Sequence, residues 1–186
     1  MYQPDGSVLF SDSWSNNSSN NLPALPVSGT YTVFVDPAGA TSGANVTLSL
    51  SADVAAGALV VDGPSGTFST TRAQTGRFTF AGTAGQTLGL GYTGVSTVPA
   101  SQSISYTVYK PDGSVLFTDY WTGNSSNTLP QLPVSGTYTI LVAPQGNVSS
   151  ASTTLTLSSE WTAPLVINGA SATFVAEIAG VGSVVI

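Results

Sequence analysis

Residues 129–142 read LPQLPVSGTYTILV, and almost the same stretch, LPALPVSGTYTVFV, occurs at residues 22–35. The two prolines in each copy lack a backbone donor and push the preceding residue toward extended geometry, so neither copy can be helical. After a Ser-Gly turn, Tyr138, Ile140 and Val142 fall on every second position, the period of a strand with one buried face. The stretch therefore predicts a loop that leads into a half-buried β-strand.

The same copying extends well beyond this stretch. Residues 2–51 and 109–158 share 33 identities over 50 ungapped positions, and the offset between them is 107 residues. This offset is the size of one small domain. We therefore divide the 186-residue chain into a partial repeat with the later strands of a unit (1–51), a complete repeat (52–158) and a partial repeat with the opening strands of the next unit (159–186).

Short alternating segments separated by turn signals fill the complete repeat. Residues 111–113 (Pro-Asp-Gly) predict a tight turn, and residues 62–63 (Asp-Gly) and 168–169 (Asn-Gly) are typical of hairpin turns. Residues 52–57 and 159–164 predict joints between units. With no helical periodicity and about eight short strands per unit, the sequence predicts an all-β fold, an antiparallel β-sandwich of jelly-roll or immunoglobulin-like type in tandem repeat.

Two tyrosines have equivalent positions in the two copies, Tyr31 and Tyr138. Each lies where a tyrosine corner would be expected. In that arrangement a buried tyrosine donates its hydroxyl to a backbone group a few residues upstream and fastens a loop to the sheet. We predict this structural role for both tyrosines.

An aspartate, Asp12 in one copy and Asp119 in the other, falls on the apolar face of a predicted strand. Three explanations remain open. The strand could contain a bulge that turns the side chain outward, the carboxylate could accept from backbone donors of the next loop, or it could bind calcium. Calcium needs six or more oxygen ligands, and no dense acidic cluster accompanies either aspartate.

Each copy also has a tryptophan followed by a polar loop, Trp14 with Asn17 and Trp121 with Asn124. An aromatic ring beside amide and hydroxyl groups is typical of a carbohydrate platform. A tryptophan in the core or at a corner, followed by an ordinary loop, gives the same pattern. These four residues are the candidate ligand-binding residues.

Composition excludes several classes of function. Only three basic residues oppose nine acidic ones, so nucleic acid and anionic membranes are not expected partners. The chain has no histidine and no cysteine, and so cannot build a Ser-His or Cys-His pair or an ordinary zinc site. We predict no enzyme activity, no catalytic residue, no metal and no cofactor.

The sequence also bears on location. No apolar run reaches the roughly 18 residues of a membrane span, so membrane insertion is not expected, and an export signal would have to lie outside these residues. Charged residues are only 6% of the chain, and the strands carry mainly serine and threonine on their polar face. This neutral surface with few tryptic sites favours a durable extracellular protein.

Four segments of the complete repeat carry a resemblance to a known family: GTAGQTLGLGY at 82–92, YKPDGSVLF at 109–117, LPQLPVSGTYTILVAPQG at 129–146 and TTLTLS at 153–158. The unit resembles bacterial pre-peptidase C-terminal-like domains, and more closely the tandem repeats of large secreted or surface bacterial proteins, including those associated with YD-repeat (Rhs-type) polypeptides. The resemblance implies a jelly-roll-like accessory or spacer module outside the cell. It also implies contact with polysaccharide or collagen in some relatives, and calcium binding in others through an acidic cluster that this sequence lacks.

The sequence thus predicts a non-enzymatic structural repeat of an extracellular bacterial surface, stalk or fibre protein. Its expected partner is itself, through neighbouring repeats or through head-to-tail pairing in which strands of one molecule complete the partial repeat of another. The alternative is a carbohydrate-binding or matrix-binding accessory module.

Overall fold

The computed structural model describes residues 1–15, 18, 20–37, 39, 45–71, 74–145, 150–164, 167–169, 171, 173 and 181–185. Its contacts divide the chain into two compact units, Met1–Leu50 (unit 1) and Ser51–Ile186 (unit 2). The strands of unit 2 are β1 (Val54–Ala58), β2 (Gly66–Thr71), β3 (Gly76–Gly82), β4 (Leu88–Val98), β5 (Ile104–Tyr109), β6 (Val115–Trp121), β7 (Ser125–Thr128), β8 (Gly136–Pro144), β9 (Ser150–Pro164) and β10 (Val181–Val185). In the described residues no helix is long and apolar enough to cross a membrane.

Two packed sheets make up unit 2. One has the strand order β1-β3-β8-β5-β6, and the other has the order β10-β9-β4-β7 with β2 also paired to β9. The predicted all-β antiparallel sandwich is therefore confirmed. Two pairs at sheet edges differ from the prediction, because β1 pairs with β3 and β10 pairs with β9 in the parallel sense.

The core lies between the inner faces of the two sheets. Phe80 of β3 stacks on Tyr138 of β8 with ring centroids 5.2 Å apart. Alternate residues on five strands are almost completely buried, as period-two patterning requires. They include Phe78, Phe80, Leu88, Leu90, Tyr92, Ile104, Tyr106, Val108, Tyr138, Ile140, Val142, Leu155 and Leu157.

Two predictions about the ends of the unit are wrong. Residues 52–57 and 159–164 were expected to be joints, but they contribute to β1 and to the end of β9. Small and β-branched side chains explain the first case, because Val54 and Ala56 pack against the core while the backbone pairs with β3. An apolar strand edge is more stable in the sheet than as a solvated linker.

The Asp-Gly dipeptide at residues 62–63 forms a turn, in which Gly63 N donates to Val60 O at 3.0 Å. It does not form the expected hairpin, because β1 pairs with β3 and β2 pairs with β9. The turn instead carries the chain from one sheet to the other. Asp62 has a φ of 57°, and Asn168, in the second copy of the turn, has a φ of 61°.

Unit 1 keeps a reduced version of the same pairing. Tyr2 forms isolated antiparallel bridges with Val8 and with Thr32. In unit 2 the equivalent Tyr109 pairs with Val115 on β6 and with Thr139 on β8. In unit 1, Tyr2 therefore bridges the two residues equivalent to those that Tyr109 pairs with in unit 2.

Candidate functional site

Two buried tyrosines cross the interior of unit 2 from opposite sheets. The rings of Tyr92 on β4 and Tyr106 on β5 have centroids 4.1 Å apart and are tilted by 35°. The Tyr106 hydroxyl donates to Thr153 Oγ1 at 3.1 Å. Burial raises the pKa of Tyr106 to about 12, although the Thr153 hydrogen bond opposes the shift. Burial therefore favours the protonated form of the Tyr106 phenol.

The side chains of Asn127 and Asp119 lie near the Tyr92 hydroxyl. Burial raises the pKa of Tyr92 well above its ordinary value; the Asn127 side chain opposes this shift, and the charge of Asp119 adds to it. Asn127 is close enough to affect the pKa, yet the Tyr92 hydroxyl makes no hydrogen bond of good geometry with the described residues. The amide and carboxylate nearby hydrogen-bond to each other, with Asn127 Nδ2 donating to Asp119 Oδ2 at 2.7 Å.

Asp119 accepts hydrogen bonds with both carboxylate oxygens, one from within β6 and one from β7. Its Oδ1 accepts from Tyr120 N at 2.8 Å, and its Oδ2 accepts from Asn127 on β7. The register shift of β5 against β6 lies between Val108 and Tyr109, away from this aspartate. Of the three explanations for an acid on the apolar face, hydrogen bonding by the carboxylate is the one observed, but its donors are the Tyr120 amide within β6 and the Asn127 side chain on β7 and not backbone amides of the following loop.

Asp12 repeats the arrangement in unit 1. Its Oδ1 accepts from Ser13 N at 2.8 Å, and its Oδ2 accepts from Asn20 Nδ2 at 2.6 Å. In each copy the acid and the amide are eight residues apart and enclose the polar loop. No group of three or more acidic, histidine or cysteine side chains able to hold a metal occurs in the described parts of the chain.

The candidate tryptophans have different environments. Trp121 is half-buried, packs against the core of unit 2, and has a buried Nε1 without a hydrogen-bond partner among the described residues. Trp14 in unit 1 is 51% exposed. Of the two candidate asparagines, Asn124 accepts with Oδ1 from Val95 N at 3.3 Å. Asn17 lies outside the described residues. In unit 2 the ring is thus turned into the sandwich, and its polar neighbour holds a backbone amide.

Both candidate corner tyrosines hydrogen-bond to backbone four residues upstream. The Tyr138 hydroxyl donates to Val134 O at 2.6 Å, and the Tyr31 hydroxyl donates to Val27 O at 2.7 Å. In each copy the bond ties the proline-rich loop to the start of a strand. This is the contact that defines a tyrosine corner.

Several contacts of this scaffold were not anticipated from the sequence. The Tyr92–Tyr106 contact, the Asp119–Asn127 hydrogen bond and the pairing of Asp62 with Ser159 are three of them. Only the Asp119–Asn127 hydrogen bond could have been predicted from the sequence, since an aspartate and an asparagine recur at the same spacing in both copies.

A shallow open cleft lies where β2, β4 and β9 meet. Hydroxyl side chains line most of it; the residues are Ser69, Thr70, Thr71, Ser96, Ser150, Ala151 and Ser152. Thr70 Oγ1 is already bonded to Gln74, accepting from its amide N at 3.2 Å. Without histidine in the chain, none of these hydroxyls has an imidazole base.

Comparison with known proteins gave no matching family model and no matching curated protein. Solved structures do match, and two of them cover somewhat more than half of this chain. A periplasmic inhibitor of g-type lysozyme, PliG from Aeromonas hydrophila, is 19% identical, covering 57% of this chain and 99% of its own, with a TM-score of 0.39. The pre-peptidase C-terminal domain of a collagenase from Bacillus anthracis is 10% identical, covering 60% of this chain and 98% of its own, with a TM-score of 0.37.

Proposed function

We propose that this chain is a non-enzymatic structural repeat of an extracellular bacterial surface, stalk or fibre protein. The observation that carries the proposal is that the side-chain hydrogen bonds common to both copies all hold loops in place. The tyrosine corner, the acid-amide bond across the polar loop and the aspartate of the Pro-Asp-Gly turn each recur. The hydrogen bonds that recur in the two copies are thus those of a scaffold.

The turn is the simplest of these recurring devices. Asp112 Oδ1 accepts from the amide and the hydroxyl of Ser114, at 2.9 and 2.6 Å, and Asp5 makes the same pair of bonds with Ser7 at 2.9 and 2.7 Å. An aspartate that closes its own turn in this way has a local structural role. Recurrence of such local bonds suits a module that must keep one shape in every copy.

The chemical character of the surface supports a location outside the cell. Three basic residues in 186 leave few sites for trypsin-like proteases, and mainly neutral hydroxyl groups cover the polar faces of the strands. Such a surface resists proteolysis and salt-dependent association. It is well suited to a spacer that holds other domains away from a cell.

A carbohydrate-binding module is the second candidate, and the exposure of Trp14 favours it. That indole is 51% exposed and immediately precedes the polar loop of unit 1. An exposed ring beside amide groups is a suitable stacking surface for a sugar. Trp121 argues against carbohydrate binding in unit 2, because it packs against the core.

Acrylamide quenching of single-tryptophan variants separates the two candidates. The variant Trp14→Phe/Trp161→Phe leaves only Trp121, and Trp121→Phe/Trp161→Phe leaves only Trp14. For a spacer, we expect weak quenching of Trp121, strong quenching of Trp14, and no change in either when a panel of soluble polysaccharides is added. Protection of Trp14 by one polysaccharide, with saturation, would establish the binding module instead.

A further inference from the structure

Strand β9 continues without a break from the complete repeat into the segment that follows it. It runs for 15 residues, Ser150–Pro164. Residues 150–159 pair with β2 and β4 and close the complete repeat. Residues 160–164 pair with β10 in the parallel sense, as β1 pairs with β3. The backbone is therefore held in a sheet both before and after the boundary between the two repeats.

The second part of β9 is the counterpart of β1. Val184 of β10 lies opposite Ala163, and Phe78 of β3 lies opposite Gly57. Each residue number of the first pair is 106 higher than its equivalent in the second pair. One continuous strand thus transmits a pull on the chain out of the complete repeat and into the opening strand of the next.

The entry and the exit of the complete repeat lie at opposite ends of the sandwich. β1 and β3 are parallel, so they begin at the same end. β9 begins there as well, because Ser150 lies opposite Thr71, the last residue of β2 before the short connection to β3. At the other end, Asp62, which follows β1, bonds to Ser159 near the exit. β1 and β9 therefore run in the same direction, from entry to exit.

This direction determines how tension acts on the repeat. Inter-strand hydrogen bonds lie across the strands, so a pull along a strand shears the whole ladder at once, whereas a pull across it opens the bonds one after another. Tension between entry and exit is directed along β1 and β9. β9 is held on both sides, by β2 and β4. β1 is the terminal strand of its sheet in the described structure, so it is the first strand to slide under tension.

Further contacts attach β1 to its neighbours at the point where tension enters. Arg77 of β3 forms an ion pair with Asp53, in which Nη2 and Oδ2 are 2.8 Å apart. The next residue, Val54, donates its backbone N to Thr75 O at 2.7 Å. Both contacts resist sliding of β1 along β3, because each joins atoms that would have to separate.

We propose that β1 is the mechanical clamp of a tension-bearing repeat, that is, the strand whose sliding against β3 limits unfolding when the chain is pulled. The continuous β9 passes the pull to the next repeat, where residues 160–164 pair with β10 as β1 pairs with β3. The clamp rests on the structural role proposed above. It adds resistance to force to the simpler task of setting a distance.

Single-molecule force spectroscopy of the full chain with two attachment geometries tests the clamp. The chain has no cysteine, so pairs of introduced cysteines define the points of attachment. Ser51→Cys/Glu160→Cys is pulled between entry and exit. Ser103→Cys/Thr122→Cys is pulled across neighbouring ends of β5 and β6, which peels one strand from the other. Because forced unfolding follows the unfolding rate, both are pulled at the same speed, and we expect a several-fold higher force in the first geometry.

Two substitutions of one residue locate the resistance. Val54→Pro removes the amide that bonds to Thr75 O, because proline has no N–H. Val54→Ala keeps that amide and shortens only the side chain. Between entry and exit, Val54→Pro should lower the unfolding force strongly and Val54→Ala slightly. Neither should change the force that separates β6 from β5, because β1 lies at the opposite edge of the sheet.

Two results would overturn the clamp. They are equal forces in the two geometries, and an entry-to-exit force that Val54→Pro leaves unchanged. The comparison of geometries keeps the native β1, so it decides the matter even where Val54→Pro does not fold. Neither result would affect the proposed structural role, because a spacer need not resist force. A polysaccharide-binding Trp14, in turn, would contradict that role without altering the measured forces.

Discussion

Asp62 and Ser159 are 97 residues apart in the chain, yet the Asp62 carboxylate accepts two hydrogen bonds from Ser159. The amide N donates at 2.8 Å and the hydroxyl donates at 2.7 Å. Asp62 N in turn donates to Leu157 O at 2.9 Å. The turn between β1 and β2 is thereby fastened to β9, so one short contact joins the opening of the unit to its final strand.

The Asp62 contact predicts how stability depends on pH. The Ser159 hydroxyl and amide lower the pKa of Asp62 below its ordinary value. A carboxyl whose pKa is lower in the folded state contributes stability above its unfolded pKa, near 4, and loses that contribution as pH falls through the folded pKa. Below about pH 4, we expect the Tm of Asp62→Asn to fall less steeply with decreasing pH than the Tm of the parent. Calorimetry from pH 7 to pH 2 measures both. Equal slopes for the parent and Asp62→Asn would contradict the prediction.

Removing the tyrosine corner should destabilise unit 2. Tyr138→Phe leaves Val134 O without its hydrogen bond, at a cost of about 1–3 kcal/mol in the free energy of unfolding. Chemical denaturation followed by far-UV circular dichroism measures the change. The matched variant Tyr31→Phe removes the equivalent bond from unit 1 and should leave the main transition unchanged. A Tyr138→Phe protein that unfolds like the parent would mean that the corner contributes no stability.

A methyl group at Gly76 should also destabilise the core. A Cβ there would lie 2.3 Å from Cδ2 of Phe68, which is almost completely buried on β2. The ring cannot move without disturbing its neighbours, and overpacking of this kind costs about 1–3 kcal/mol. Thermal unfolding of Gly76→Ala should show the loss. Gly123→Ala is the control, because its Cβ would meet nothing within 4 Å, and similar Tm values for the two variants would contradict the argument.

Calcium should not contribute to stability. The Asp119 carboxylate is occupied by Tyr120 N and Asn127 Nδ2, and Asp12 is occupied in the same way by Ser13 N and Asn20. A calcium ion would have to displace these donors and find several further oxygens. We expect the same Tm, within error, in excess chelator and in millimolar calcium. A decrease of several degrees in chelator would reveal a site that the sequence and geometry do not indicate.

The sequence by itself determined the strands, the tight turns and the repeat. Alternation over residues 104–108 and 138–142 predicts which side chains are buried, because the side-chain period of a strand is two. The prolines and glycines of the turns act through local φ restrictions, which need no tertiary context. The bonds that hold the corner and the Pro-Asp-Gly turn span four residues or fewer, so their partners also lie within the sequence motif.

Only the tertiary structure decided which strands are neighbours and which distant groups meet. The expected joint at residues 52–57 became β1 because pairing with β3 and packing against the core satisfy its backbone and its apolar side chains together. The Asp62–Ser159 and Tyr106–Thr153 contacts join residues 97 and 47 positions apart. Such pairs depend on how two sheets stack, and the free energy of that choice comes from burial across the whole core, which no local pattern specifies.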